Sequence, residues 1–327
     1  MMYFDHPLTN KVQALSDQID DRKEFHSAAE GVLLEMAASP EFLDGVVQYN
    51  LDRPEFLEHN WSLYEIPCLW IADTGDFQMK FHVFLPMEKF EAGIAGSCIH
   101  HHNNYLLTTL AVCGSGYETF IFEKDGQFDP DKGDIELRVR ENFVQKEGTM
   151  TLVDSWEPHV VFSPKEMTTT LTLWSPDAKR STDKLRHNPV LKAFKKPLRF
   201  MIHAFGMDKK MGIASAKTYQ FYEHDGKFEA IEEGEYFAPT KAAKGPEIDD
   251  DYVRTIFAFL KAMNYQNTEY LGELAEKDST PAVWKKWALK YVVRDLILPA
   301  TSSAEINIPG KILRKESILK AQEAILT

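Results

Sequence analysis

Three of the chain's eleven histidines are consecutive: His100, His101 and His102. Side chains alternate along a strand, so on a strand His100 and His102 share one face and His101 takes the other. Two imidazoles at that spacing can close on one metal ion from the inside of a barrel. Neutral imidazole is a borderline donor that suits iron, zinc, nickel and copper. At the end of a surface strand the same triplet is only a solvated polar patch, and the triplet by itself leaves both readings open.

The residues around it extend the pattern. The cupin family's first motif is HxH, four residues, an acidic ligand, six residues and a glycine; here His102 is followed by four residues, Leu107, six residues and Gly114. The glycine register agrees, and Leu107 stands in the acidic slot. The second motif is a glycine, ten residues and a histidine, and Gly148 and His159 stand at that spacing, with Pro158 before the histidine. Asp154 and Trp156 occupy that motif's usual proline and glycine positions, and Ser163 its usual asparagine. The segments IHHHNNYLLTTLAVCGSGYETFIF, IELRVRENF and DSWEPHVVFSPKEMTTTLTLWSP resemble the core of thiol dioxygenases of the cysteine dioxygenase type, over roughly residues 80–177. The resemblance implies ferrous iron held by three histidines and no carboxylate, with His100, His102 and His159 as ligands. Leu107 in the acidic slot agrees with such a set. Those enzymes anchor the substrate carboxylate with an arginine upstream of HxH. Between Asp52 and His100 the one arginine is Arg53, at another offset, and Val161 stands where they carry a tyrosine. The resemblance therefore does not reach to cysteine as the substrate.

Three neutral ligands leave the metal its full charge and several open positions, which favours an anionic chelating substrate beside dioxygen. Leu107, Phe84 and Phe162 are expected to supply an apolar wall. Among further candidates, His82 alternates with Lys80 and Phe84 and is either an acid–base group or a core histidine. Tyr105 can hydrogen-bond an oxygen species on the metal. Trp156 and Glu157 precede His159 and are expected to border the pocket. Arg138 and Arg140 share a strand face, where they either anchor a carboxylate or are simply solvated. Cys98 lies two residues before His100, a thiol on the same face or a small buried side chain. His203 reads as structural.

The elements that must position these residues follow from a change of period. Residues 1–59 form a helical segment: Val12, Leu15 and Ile19, then Ala29, Val32, Leu33 and Met36, fall at helical spacing, and Ser39-Pro40 is a helix start. Residues 60–240 break into short runs rich in Val, Ile, Thr, Phe and Tyr: 79–85, 97–102, 105–113, 117–123, 135–140, 149–153, 158–162, 168–174, 198–205 and 214–222. Asp125-Gly126 and Asp225-Gly226 read as hairpin turns. Residues 246–327 return to helical spacing, with Tyr252, Ile256, Phe259 and Leu260 on one face and Trp284, Trp287, Ala288 and Tyr291 on another. The stretch 240–247 is the linker between barrel and helices. The predicted class is mainly β with helical flanks, a cupin-type double-stranded β-helix (jelly-roll) barrel carrying N- and C-terminal helices.

Several functions are excluded. A net charge of −13 with no basic stripe argues against nucleic acid. The N-terminus lacks the pattern of a secretory signal, and no apolar run reaches the ~18 residues of a membrane span. Three scattered cysteines, Cys68, Cys98 and Cys113, fit a reducing, cytoplasmic setting. No GxSxG, Walker or GxGxxG pattern is present. The expectation is an Fe(II)-dependent cupin oxygenase, a dioxygenase taking O2 and a small polar or anionic chelating substrate. Zn, Ni or Mn at the same histidines would make a Lewis-acid isomerase or lyase. A non-catalytic ligand-binding module is the third reading. The helical flanks would serve as a homodimer interface or a pocket lid.

Overall fold

The computed structural model describes residues 2–58, 67–86, 99–100, 104–123, 137–162, 164–179, 219–224, 227–232, 248, 250–295 and 318–320, with 99–100, 219–224 and 227–232 described by their backbone. His101, His102, Cys98, Ser163, His203, the Asp125-Gly126 turn, the 198–205 run and the whole 240–247 linker lie outside these residues.

The N-terminal helices start where cap chemistry permits. Helix α1 (Pro7–Gln18) places Pro7 in its first turn. Helix α2 (Arg22–Ala38) is capped by the Asp21 carboxylate accepting from the Glu24 amide at 2.9 Å. Helix α3 (Pro40–Leu51) begins as its sequence indicates, with Ser39 Oγ accepting from the Phe42 amide at 3.1 Å. A short helix, α4 (Pro54–Leu57), follows. Ser39→Ala removes that cap and is expected to cost about 1 kcal/mol in urea unfolding; an unchanged midpoint would show that the cap contributes nothing.

The strands form two six-stranded antiparallel sheets. The first has the order β1 (Met2–Tyr3), β2 (Cys68–Asp73), β3 (Gln78–Phe84), β10 (Thr168–Pro176), β5 (Tyr105–Cys113) and β8 (Met150–Val153). The second has the order β12 (Lys227–Glu232), β11 (Tyr219–His224), β4 (Ile99–His100), β9 (His159–Val161), β6 (Glu118–Phe122) and β7 (Val139–Val144). From β3 to β6, and again from β7 to β11, the chain changes sheet at each step, the alternation of a jelly roll. Pairing in the β11–β12 hairpin reaches His224 opposite Lys227; the Asp225-Gly226 turn expected between them lies outside the described residues. The 135–140 run corresponds to a strand displaced to Val139–Val144, because its register is set by pairing with Glu118–Phe122. Strands β1, β2 and β12 were not among the runs picked out by composition.

Period-two alternation divides the first sheet into two faces. Met79, Phe81, Val83, Leu110, Leu171 and Leu173 are buried against the helices. His82, Phe84, Leu107, Thr109, Thr170, Thr172 and Trp174 line the other side. Both faces are covered, so β10 is buried at almost every position.

Both helical flanks contribute to the core on the outer face. The C-terminal helices α5 (Asp250–Ala262), α6 (Thr268–Glu276) and α7 (Ala282–Val292) pack into the same cluster as α1–α3. Trp284 is fully buried beside Phe56 and Phe257, and its indole N–H donates to the Leu57 carbonyl at 2.7 Å. Tyr265 donates to Asp44 at 2.7 Å, and Lys277 pairs with Asp52 at 2.7 Å. No helix among the described residues is long and apolar enough to cross a membrane.

Candidate metal centre and cavity

Two of the three histidines expected to bind metal are brought together by strand register. His100 on β4 is the direct antiparallel partner of His159 on β9. Directly opposed residues are the closest neighbours two strands can offer, with Cβ atoms roughly 5 Å apart. His159 is buried, and its Nδ1 lies 3.1 Å from the Glu157 carbonyl oxygen. That carbonyl can only accept, so Nδ1 carries the proton and Nε2 the lone pair, the tautomer that a metal-binding histidine needs. Among the described residues no group of three His, Cys, Asp or Glu side chains gathers at one point; His102 and the His100 side chain are not part of that description. A buried imidazole with its lone pair on Nε2 is a donor of the kind that a divalent ion accepts.

The turn before His159 is built to hold it. Glu157 is buried and receives Arg140 Nη1 on Oε1 at 2.9 Å and the Asp154 amide on Oε2 at 2.9 Å. Lys23 from α2 holds Asp154 at 2.6 Å. Trp156, at the motif's usual glycine position, keeps a φ of +60°, a conformation few tryptophans adopt. The register glycines behave likewise: Gly114 has φ +102° and Gly148 φ +75°. A Cβ at Gly114 would run into the Met167 carbonyl, and one at Gly116 into the Gln145 carbonyl. These two glycines turn the chain from β5 into β6.

A cavity of about 90 Å³ lies between the sheets, room for several waters or one small ligand. His159, Val161 and Thr119 line it from the second sheet; His82, Phe84, Leu107, Thr109 and Trp174 are among its walls from the first. Its two ends differ. Leu107, Ile121 and Val153 form an apolar cluster with Trp174 packed against it, and Ile121 is the strand partner of His159, so the histidine stands at the apolar end. At the other end are Tyr117, Thr109, Thr170 and His82. Gln145 is fixed there, accepting from Thr109 Oγ1 at 3.0 Å and donating to the carbonyls of Thr109 at 2.8 Å and Thr149 at 3.2 Å.

The polar end is neutral. Burial, then the Lys80 charge, holds the His82 imidazole well below its ordinary pKa, so it is uncharged at neutral pH. Burial pushes the Tyr117 phenol up to about 12, with the neighbouring Thr109 and Thr170 hydroxyls acting the other way. Lys80, although two residues from His82, turns its ammonium over the Trp70 ring at 4.6 Å and does not line the cavity.

The other expected site residues are placed as follows. Leu107 and Phe84 do form the wall. Phe162 does not: alternation on β9 puts His159 and Val161 on the cavity side, and Phe162 packs edge-on against Phe120 on the opposite face. Tyr105 is half-buried at the start of β5, outside the lining. Trp156 is 43% exposed on its turn and also outside it. Arg140 meets an internal carboxylate, Glu157, rather than the cavity. Tyr117, Thr119 and Gln145 were not singled out from the sequence, although Tyr117 directly follows the Gly114–Gly116 turn and Thr119 lies two residues further along the ETFIF run.

No protein-family model and no curated protein sequence matches the chain. About a third of it is similar in structure to several solved proteins, at low TM-scores. The DMSP lyase DddQ from Ruegeria pomeroyi DSS-3 shares 12% identity over 34% of this chain and 47% of that one, with a TM-score of 0.24. KdgF from Halomonas sp. shares 15% over 36% of this chain and 89% of its own, TM-score 0.24. A cupin-2 domain protein from Shewanella frigidimarina shares 14% over 36% and 82%, TM-score 0.21. The match thus spans about half the length of DddQ.

Proposed function

We propose that this chain is a metal-dependent enzyme of cupin type, an oxygenase that holds one divalent ion, Fe(II), on His100, His102 and His159 and acts with O2 on a small chelating substrate. The observation that carries this reading is the direct pairing of His100 with a buried His159 whose proton is held on Nδ1. When bound, the ion supplies open positions for an anionic chelator and dioxygen. The chain's own residues do the rest. The Glu157 carbonyl orients His159, and Arg140 fixes Glu157. Leu107, Val153 and Trp174 keep water from the histidine end. Tyr117 keeps its phenolic proton and stands as a hydrogen-bond donor.

The test is elemental analysis of protein purified without oxygen, followed by oxygen-uptake measurements with thiols and other anionic chelators. About one equivalent of iron and substrate-dependent uptake are expected. Protein without stoichiometric metal would overturn the reading and favour a ligand-binding module.

One observation favours a second reading. Neutral His82 and protonated Tyr117 in the same cavity can move protons without oxygen, as a lyase or isomerase with Zn, Ni or Mn as Lewis acid would require. Turnover under strict anaerobiosis would select it.

A further inference from the structure

The cavity's polar end holds a buried hydroxyl without a partner. Thr119 Oγ1 is buried, faces the cavity and has no hydrogen-bond partner. Burying a hydroxyl without a partner costs free energy, and a fold that needed only shape would place valine there. Its strand partner Val161 is such a residue. Thr119 stands two residues from Ile121 on β6, about 7 Å of strand from the rung of His159. Around it are the Tyr117 phenol, the neutral His82 ring and the Thr109 and Thr170 hydroxyls. Among the described lining residues no Lys, Arg, Asp or Glu occurs.

We infer that the cavity selects a substrate whose end farthest from His159 is uncharged and hydrogen-bonding: a hydroxyl, carbonyl or carboxamide, received by Thr119 and Tyr117. This rests on the three-histidine reading for the chelated end. An ionised tail would lose its hydration and meet no counter-charge, whereas a carboxamide exchanges water for the Thr119 hydroxyl.

Two probes of one size separate the cases: 2-oxoglutarate and 2-oxoglutaramate share a chelating head and differ only in a carboxylate or carboxamide tail. Their binding to the Fe(II)-loaded, oxygen-free protein is measured by calorimetry, with metal content determined on the same samples. The amide is expected to bind at least about tenfold tighter. Thr119→Val should shrink that preference to within about threefold while leaving metal content unchanged. Without ligand, Thr119→Val should also melt higher than the wild type, because an unpaired buried hydroxyl is gone. Equal or tighter binding of the carboxylate overturns the inference, as does binding of neither probe at millimolar concentration. A lower melting temperature for Thr119→Val overturns it too, since the hydroxyl would then be paired within the fold. Absence of metal counts against the three-histidine reading instead, and the melting comparison then decides on Thr119 alone.

Discussion

Lowering the pH from 7 to 5 is expected to remove about 2 kcal/mol of folding stability through His26 alone. His26, on α2, is buried between the helix and the first sheet, with Nδ1 2.7 Å from Thr108 Oγ1 on β5 and Nε2 2.9 Å from Ser175 Oγ on β10. Burial, then the nearby Arg22 charge, lowers its pKa from 6.5 to about 3. The folded state therefore binds fewer protons than the unfolded state between those values. The contribution is fully present above the unfolded pKa and is lost as the pH falls from about 6.5 toward 3. His82, also held neutral by burial, adds in the same direction. Carboxylates titrate mostly below this range, so the pH 5–7 window isolates the histidines. Urea unfolding at pH 7, 6 and 5 measures the slope. His26→Gln keeps a neutral hydrogen-bonding side chain, and about 2 kcal/mol of the pH 7-to-5 loss should disappear, leaving the share carried by His82, even though the variant begins less stable. A slope unchanged in His26→Gln would show that the imidazole is not buried in its neutral form.

His159→Ala should lower bound metal from about one equivalent to below a tenth, with a loss of affinity of at least about a hundredfold. It removes a buried donor from the apolar end. The supporting turn should matter less but measurably. Arg140→Met releases the buried Glu157 carboxylate, whose own carbonyl orients His159, and should weaken metal binding about tenfold. His101→Ala is the control, because the alternation expected from the sequence assigns position 101 to the opposite face from positions 100 and 102. Competition with a chelator, read by elemental analysis, gives all three affinities. Equal metal content in His159→Ala and His101→Ala would remove the histidine site altogether.

Much of this site could be read along the chain because its determinants are local. The spacing of His100, Gly114, Gly148 and His159 places two turns and two strands, and both register glycines have the positive φ that such turns need. The threonine and leucine alternation of β10 is equally local, as is the Ser39-Pro40 start of α3. Phe162 was misassigned by one position in a period of two, enough to move it to the opposite face. Arg140 looked available to a substrate because Glu157, its partner, lies on another strand's approach and is invisible to pattern.

The sequence by itself determined the alternation of helix and strand, the register turns and the histidines able to take a metal, since each depends on residues close along the chain. Only the tertiary structure decided which histidines are neighbours. The pairing of His100 with His159 and the meeting of both helical flanks around Trp284 join residues far apart in sequence. So does the gathering of Tyr117, Thr119 and His82 into one uncharged pocket. Such contacts arise from strand order and burial, which no local pattern encodes.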